Sequence, residues 1–207
     1  MARDLQPIVK LSRREGYALH PKAHKALAKR ATLPGQQQGA GHRRRKDSQY
    51  SLQLREKQKV KRLYGLLERQ FSKLMAEASR HKGQSGEVLL QMLERRFDNV
   101  VYRSGFSVSR RAARQLTTHG HFMLNGRRTD IPSIRIKVGD KIDVRPRSSQ
   151  TDYFKRLDDV SPASPNDIPE WLEVDRKKFS ITVTGLPTRE AAEPDINEQL
   201  IVEYYSR

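Results

Sequence analysis

The sequence predicts an α+β fold: a helical N-terminal region, then a small helix-helix-β-sheet module, with an extended basic arm in front. Three observations carry this expectation. Helix-forming residues with a three-or-four-residue apolar period run from Asp47 to Gly83; two short cationic helices precede an Asn-Gly turn between Arg95 and Gly126; alternating apolar residues follow to Val144. The corresponding boundaries are 1–46 for the arm, 47–92 for the helical region, 93–147 for the small α/β module, 148–169 for a linker and 170–207 for C-terminal strands packing back on the protein.

Residues 1–46 carry 12 basic and 2 acidic side chains and few large apolar groups, and include the loop-like stretch LPGQQQGAG. Such a segment has little apolar area to offset its ordering entropy, so an open arm that orders on a partner is expected. Asp47 or Ser48 is placed to cap the next helix. Leu63, Leu67, Phe71, Leu74, Met75 and Ala78 then form one buried stripe on two helices or one bent helix that stops at Gly83.

Ser85 can cap the following helix, with Glu87 in its first turn and Leu89, Leu93, Phe97, Val100 and Val101 on its apolar face as far as Gly105. Within Ser109–His119, Ala112, Ala113 and Leu116 share one side while Arg110, Arg111 and Arg114 project elsewhere, and Gly120 supplies a stop. FMLNGRRT is a hairpin through Asn125-Gly126. Ile134, Ile136, Val138, Ile142 and Val144 continue as short strands; Tyr153 to Leu157 is one helical turn in the linker; EWLEVD, FSITVTG and EQLIVEYY read as strands.

Charge narrows the function classes. The formal net charge is +17, from 41 Lys and Arg against 24 Asp and Glu, yet residues 151–207 hold only 7 basic and 12 acidic side chains. The basic part is suited to a polyanion, whose condensed counterions it would displace. No apolar run approaches the roughly 20 residues that a spanning helix needs, and the N-terminus has no signal core, so no membrane association and a cytoplasmic location are expected. Zero cysteines exclude disulfides and thiolate chemistry.

No catalytic residues are assigned. PGQQQGAG lacks the Gly-Lys-Ser/Thr ending of a nucleotide cradle, and no nucleophile elbow is present. His20 and His24 are separated by Pro21 and lack a companion carboxylate; His119 and His121 read as hydrogen-bonding or stacking groups. No metal and no cofactor are therefore expected.

The nucleic-acid candidates are Arg43, Arg44, Arg45 and Lys46 in the arm, then Arg55, Lys57, Lys59, Lys61 and Arg62 on the first long helix. Arg95, Arg103, Ser109, Arg110, Arg111, Arg114, Gln115, His119, Asn125, Arg127 and Arg128 belong to the small module. Each cation is expected to position phosphate with little base discrimination. Two competing readings are an RNA-modifying enzyme, which needs a second patterned domain, and a DNA-compacting basic protein.

The blocks LSRREG, QLREKQKVKRLYGLLERQF, LERRFDNVVYR, SRRAARQL and INEQLIVEYYSR resemble the bacterial small-subunit ribosomal protein four family, in order and nearly end to end. The resemblance implies a structural constituent of the small ribosomal subunit that binds the five-prime domain of 16S rRNA early and nucleates assembly of the subunit body. It also implies that the module from Phe97 to Arg145 is an RNA-binding element, with Arg95, Asp98, Arg103, Ser109, Arg110, Arg114 and Gln115 on its helical face and Asp98 orienting neighbouring arginines. Arg43 to Lys46 would lie near the mRNA entrance, and small-subunit proteins five and three would be neighbours, the former at an interface that influences decoding accuracy. Many members hold zinc through four cysteines in the arm; this chain has none, so the resemblance implies a zinc-free arm ordered by RNA.

Overall fold

The structure, a computed structural model, describes residues 5–30, 32–35, 48–162 and 168–206. Arg43, Arg44, Arg45 and Lys46 lie outside the described residues. The chain divides into one unit made of residues 1–86 together with 195–207, and a second made of residues 87–194.

The first unit differs from the expected open arm. Helices α1 (Ile8–Glu15) and α2 (Pro21–Lys29) pack on each other and bury Leu11, Leu19 and Ala23. Small as that apolar area is, local hydrogen bonds assist it: the Ser12 hydroxyl donates to the Ile8 carbonyl at 2.9 Å and accepts from the Leu19 amide at 3.2 Å. His20 caps α2, its Nδ1 accepting from the Lys22 amide at 3.1 Å, and Pro21 occupies the first turn, where a missing N–H costs nothing.

Ser48 caps α3 (Gln49–Leu63), accepting from the Ser51 amide at 3.2 Å. The long helical pattern breaks into two helices because Gly65 takes φ 65°, letting the Leu66 amide reach back to the Lys61 carbonyl at 2.9 Å. Helix α4 (Glu68–Ala78) follows, burying Phe71, Met75 and Ala78 of the expected stripe; Leu67 and Leu74 are half-buried.

EQLIVEYY, expected as a strand, is helix α11 (Glu198–Tyr205) and completes the first unit by packing on α3. Asn197 caps it, Glu198 occupies its first turn and Ile201 is fully buried, so capping and a 3.6-residue period outweigh the β-propensity of Ile, Val and Tyr.

In the second unit, the expected continuous helix up to Gly105 is interrupted. Helix α5 (Ser85–Glu94) ends in a turn at Arg95, Arg96 is extended, and α6 (Phe97–Arg103) restarts beyond them. Their backbone is claimed by the 134–136 segment: the Phe97 amide donates to the Ile134 carbonyl at 2.8 Å and the Ile136 amide to the Arg95 carbonyl at 2.9 Å. Ile134 and Ile136 thus flank one isolated bridge, Arg96 to Arg135, in place of the expected strand, and Val138 is exposed.

Helix α7 (Arg110–Thr118) precedes strands β1 (Phe122–Leu124), β2 (Arg127–Thr129) and β3 (Lys141–Val144). Asn125 and Gly126, at φ 49° and 77°, make the hairpin turn. Three single-turn helices, α8 (Pro146–Ser149), α9 (Asp152–Lys155) and α10 (Leu157–Val160), occupy the expected linker. Strands β4 (Leu172–Asp175) and β5 (Ser180–Val183) then extend the same antiparallel sheet, in the order β2-β1-β3-β5-β4, with Ile142 opposite Ile181 and Phe122 opposite Val144. Phe122 sits at the centre of the core, edge-on to Phe97, Phe106 and Phe154 at 6.1, 6.4 and 6.1 Å between ring centres.

Candidate nucleic-acid interface

Helices α6 and α7 are joined by a polar network beneath the cationic surface. The Glu94 carboxylate is fully buried and accepts from Asn99 Nδ2 at 2.8 Å and from Arg103 Nε and Nη2, both at 3.0 Å. Asn99 passes the connection on: its Oδ1 accepts from Arg110 Nε at 2.9 Å, while Arg110 Nη2 donates to Glu193 at 2.8 Å and the guanidinium stacks over Tyr102 at 4.5 Å. Asp98 holds Arg96 through a two-point pair at 3.0 and 2.9 Å and lies 3.7 Å from Arg114. Charge-assisted pairs of this kind fix guanidinium orientation as well as adding attraction.

These contacts engage several of the expected RNA contacts within the protein. Arg103, Arg110 and Arg114 have side-chain exposures of 16, 14 and 13%, with their head groups drawn toward carboxylates instead of projecting freely. Ser109 is buried and caps α7 by accepting from the Ala112 amide at 3.3 Å, so its hydroxyl is already engaged. Half-buried Arg95 donates to the Ile136 carbonyl at 2.9 Å.

What α7 does present to solvent is Arg111, Gln115 and His119, a stripe at four-residue spacing. The hairpin adds exposed Asn125, Arg127 and Arg128. Asn125 is held by its own turn, donating to Asp140 and accepting from the Lys141 amide, both at 2.8 Å. Arg111, Arg127 and Arg128 make no side-chain hydrogen bond or ion pair among the described residues, which leaves their guanidinium donors available to an incoming oxyanion. His121 is set back: its Nδ1 lies 3.0 Å from Ser148 Oγ, and burial, then His119 and Arg145, hold its pKa below the ordinary histidine value. Exposed Lys137 and Arg147, which the sequence reading did not assign, add to the cationic surface of this unit; isolated single charges give no periodic signal to find them by.

In the first unit, all five expected α3 cations are engaged within the protein. Lys57, expected from the sequence as an RNA contact, is buried, 2.8 Å from Glu68 and 4.6 Å above the Tyr204 ring. Lys61 pairs with the same Glu68 at 2.9 Å and Lys59 with Glu56 at 2.9 Å. Arg55 and Arg62 converge on Glu15, whose side chain is fully buried; desolvation raises its pKa against the opposing pull of Arg55, Arg62 and Arg14. Two of these acids reach α3 from other helices, which is why helical spacing within residues 49–63 could not reveal the pairing.

Among the described residues, no group of three or more His, Asp or Glu side chains is arranged to hold a metal ion, and no helix is long and apolar enough to cross a membrane.

Residues 3–94 match the model of the ribosomal protein S4/S9 N-terminal domain family, and residues 95–142 match the S4 domain. The chain is 54% identical over 207 residues to the small ribosomal subunit protein uS4 of Chloroflexus aurantiacus, covering 100% of both chains. It is 52% identical over 211 residues to the protein of that name from Herpetosiphon aurantiacus and 48% identical over 207 residues to that of Chlorobaculum tepidum, again across 100% of each chain. With both domains matched in order and relatives aligned from end to end, the chain belongs to the small ribosomal subunit protein uS4 family.

Proposed function

We propose that this chain is a structural, non-enzymatic constituent of the small ribosomal subunit in the cytoplasm, binding 16S rRNA chiefly through the sugar-phosphate backbone. The observation that carries the reading is the division of labour in the second unit: Glu94, Asp98 and Glu193 hold the inner arginines in place, while Arg111, Arg127 and Arg128 are exposed without a carboxylate partner among the described residues. Arg103, Arg110 and Arg114 act as positioning groups for that outer set. Family membership supplies the RNA; the geometry supplies the way of holding it.

The finer assignments follow from the same reading. Early binding to the five-prime domain, nucleation of the subunit body, contacts with proteins five and three, an influence on decoding accuracy and a place for Arg43 to Lys46 near the mRNA entrance are proposed on the family resemblance. An RNA-modifying enzyme is not favoured, because the relatives aligned over 100% of the chain carry the name of a small ribosomal subunit protein.

Filter binding to a five-prime-domain rRNA fragment over a salt series tests the proposal. The affinity of the unaltered protein should fall steeply with salt. Replacing Arg111, Arg127 and Arg128 together with alanine should lower the slope of log K against log salt by roughly 2 to 3 units, about 0.7–0.9 per lost phosphate contact. A flat salt response in the unaltered protein would reject phosphate-dominated binding.

A further inference from the structure

We propose that Asn125-Gly126 is a self-modification site: the backbone nitrogen of Gly126 attacks the Asn125 side-chain amide, ammonia leaves, and the hairpin tip acquires a carboxylate, at a rate held down by the contacts with Asp140 and Lys141. The inference goes beyond the rRNA role and does not depend on it.

The chain has four asparagines, and Val100, Gly126, Asp167 and Glu198 are the residues that follow them. Only after Asn125 does no side chain shield the next amide nitrogen. A Cβ placed on Gly126 would meet nothing within 4 Å beyond its chain neighbours, and the Gly126 amide donates no hydrogen bond among the described residues. Both residues are exposed, so solvent reaches the reacting atoms. The nucleophile is unhindered and uncommitted.

The electrophile, by contrast, is anchored. Asn125 Nδ2 donates to Asp140 Oδ1 and Asn125 Oδ1 accepts from the Lys141 amide, both at 2.8 Å, while the Asn125 amide donates to the Lys141 carbonyl at 2.8 Å. Asp140 is itself fixed, its Oδ2 accepting from the Lys137 amide at 2.7 Å. Ring closure requires the Asn125 side chain to swing over the Gly126 nitrogen and the turn torsions, φ 49° and 77°, to change. The side-chain contacts must break first, and each one lost raises the population able to react.

In the reaction the Gly126 nitrogen gives its proton to solvent base and bonds to Asn125 Cγ. The Cγ–Nδ2 bond breaks, and Nδ2 leaves as ammonia with a proton taken from water. Water then opens the cyclic imide: cleavage of the new N–Cγ bond gives aspartate, and cleavage of the original peptide bond gives isoaspartate. Either product undoes the clamp. A carboxylate oxygen in place of Nδ2 faces Asp140 Oδ1 acceptor to acceptor, with like charge. Isoaspartate also lengthens the backbone of a two-residue turn, which the Leu124–Arg127 register cannot absorb, and so displaces exposed Arg127 and Arg128. The displaced carboxyl is the group that isoaspartyl-methylating enzymes recognise, so the aged hairpin is a substrate of that class.

The full-length protein, folded and in guanidinium chloride, and the Asp140→Ala variant should be aged at physiological temperature and mildly alkaline pH. Mass spectrometry of the tryptic peptide Gln115–Arg127, with isoaspartate resolved from aspartate, follows the conversion. Asn125 should give both products while Asn99 and Asn197 persist. Asp140→Ala should raise the rate about tenfold, as loss of a hydrogen bond to a charged group implies, and denaturant should raise it at least as much. Buried Asn99 monitors the fold of the variant, because unfolding would expose it to the same chemistry. An unchanged rate in Asp140→Ala, or equal rates in folded and denatured protein, would overturn the clamp. Amide loss at Asn125 no faster than at Asn197, or aspartate formed without isoaspartate, would overturn the site.

Discussion

Removing the Glu94 carboxylate should destabilise the second unit more than any loss at its exposed rim. In Glu94→Ala, three hydrogen bonds to a fully buried carboxylate disappear at once, and the Arg103 guanidinium, 16% exposed, remains inside without its main partner. Stripping one member from a buried pair costs about 3–5 kcal/mol. The lower end applies here, because Glu193 lies 3.5 Å from Arg103 and retains part of the compensation. For a unit of this size, about 3 kcal/mol corresponds to a fall in melting temperature on the order of 12 °C or more.

The assay is convenient, since Trp171 is the chain's single tryptophan and is buried in this unit; its fluorescence in a urea titration reports the unit's unfolding directly. The double variant Glu94→Leu/Arg103→Leu should recover much of the loss, as a buried ion pair replaced by apolar groups often does. A loss under about 1 kcal/mol in the single variant, well below the range for breaking a buried pair, would refute the network as the support of α6 and α7.

The other predictions concern the first unit. Burial pushes the Glu68 pKa upward, but hydrogen bonds from Lys57, Lys61 and Tyr205 outweigh it and hold the value at about 2, below the ordinary 4.5. A depressed carboxyl stabilises above its unfolded value and ceases to do so as pH falls through the folded one. Acid unfolding followed by circular dichroism should therefore show stability lost between pH 4.5 and about 2, and Glu68→Gln should flatten that dependence. At Gly86, an added Cβ would sit 2.7 and 2.8 Å from Glu198 Cγ and Cβ. Gly86→Ala should thus lower the melting temperature through strain of about 1–3 kcal/mol, despite alanine's better helix propensity; a higher melting temperature would contradict the close approach of Gly86 and Glu198.

Elements with strong local signals were legible in the sequence. Ser48 caps α3 at one of the two positions the sequence offered, and the Asn125-Gly126 turn has the torsions that pair favours. Elements decided by distant partners were not. Arg95 and Arg96 belong to an uninterrupted helical pattern and are pulled out of it by residues 134–136. The α11 segment has β-prone composition, yet Asn197 before it was a readable cap, and its period fits a helix. For the candidate site, sequence identified the cationic elements but could not separate exposed Arg111 from committed Arg110, since Glu193 lies 83 positions from the latter.

The arrangement of α3 and α11 bears on how the molecule is made. Synthesis proceeds from the amino end, so the docking face of α3, with Gln53 and Lys57 awaiting Glu203 and Tyr204, emerges long before the eight residues of α11 that cover it. The second unit, by contrast, has all its described strands synthesised before α11 emerges. A message cut short near its end would still yield a sheet and its arginine surface, but would leave the opening helices without their clasp. The contact between α3 and α11 is thereby late to form during synthesis, however early α3 itself emerges.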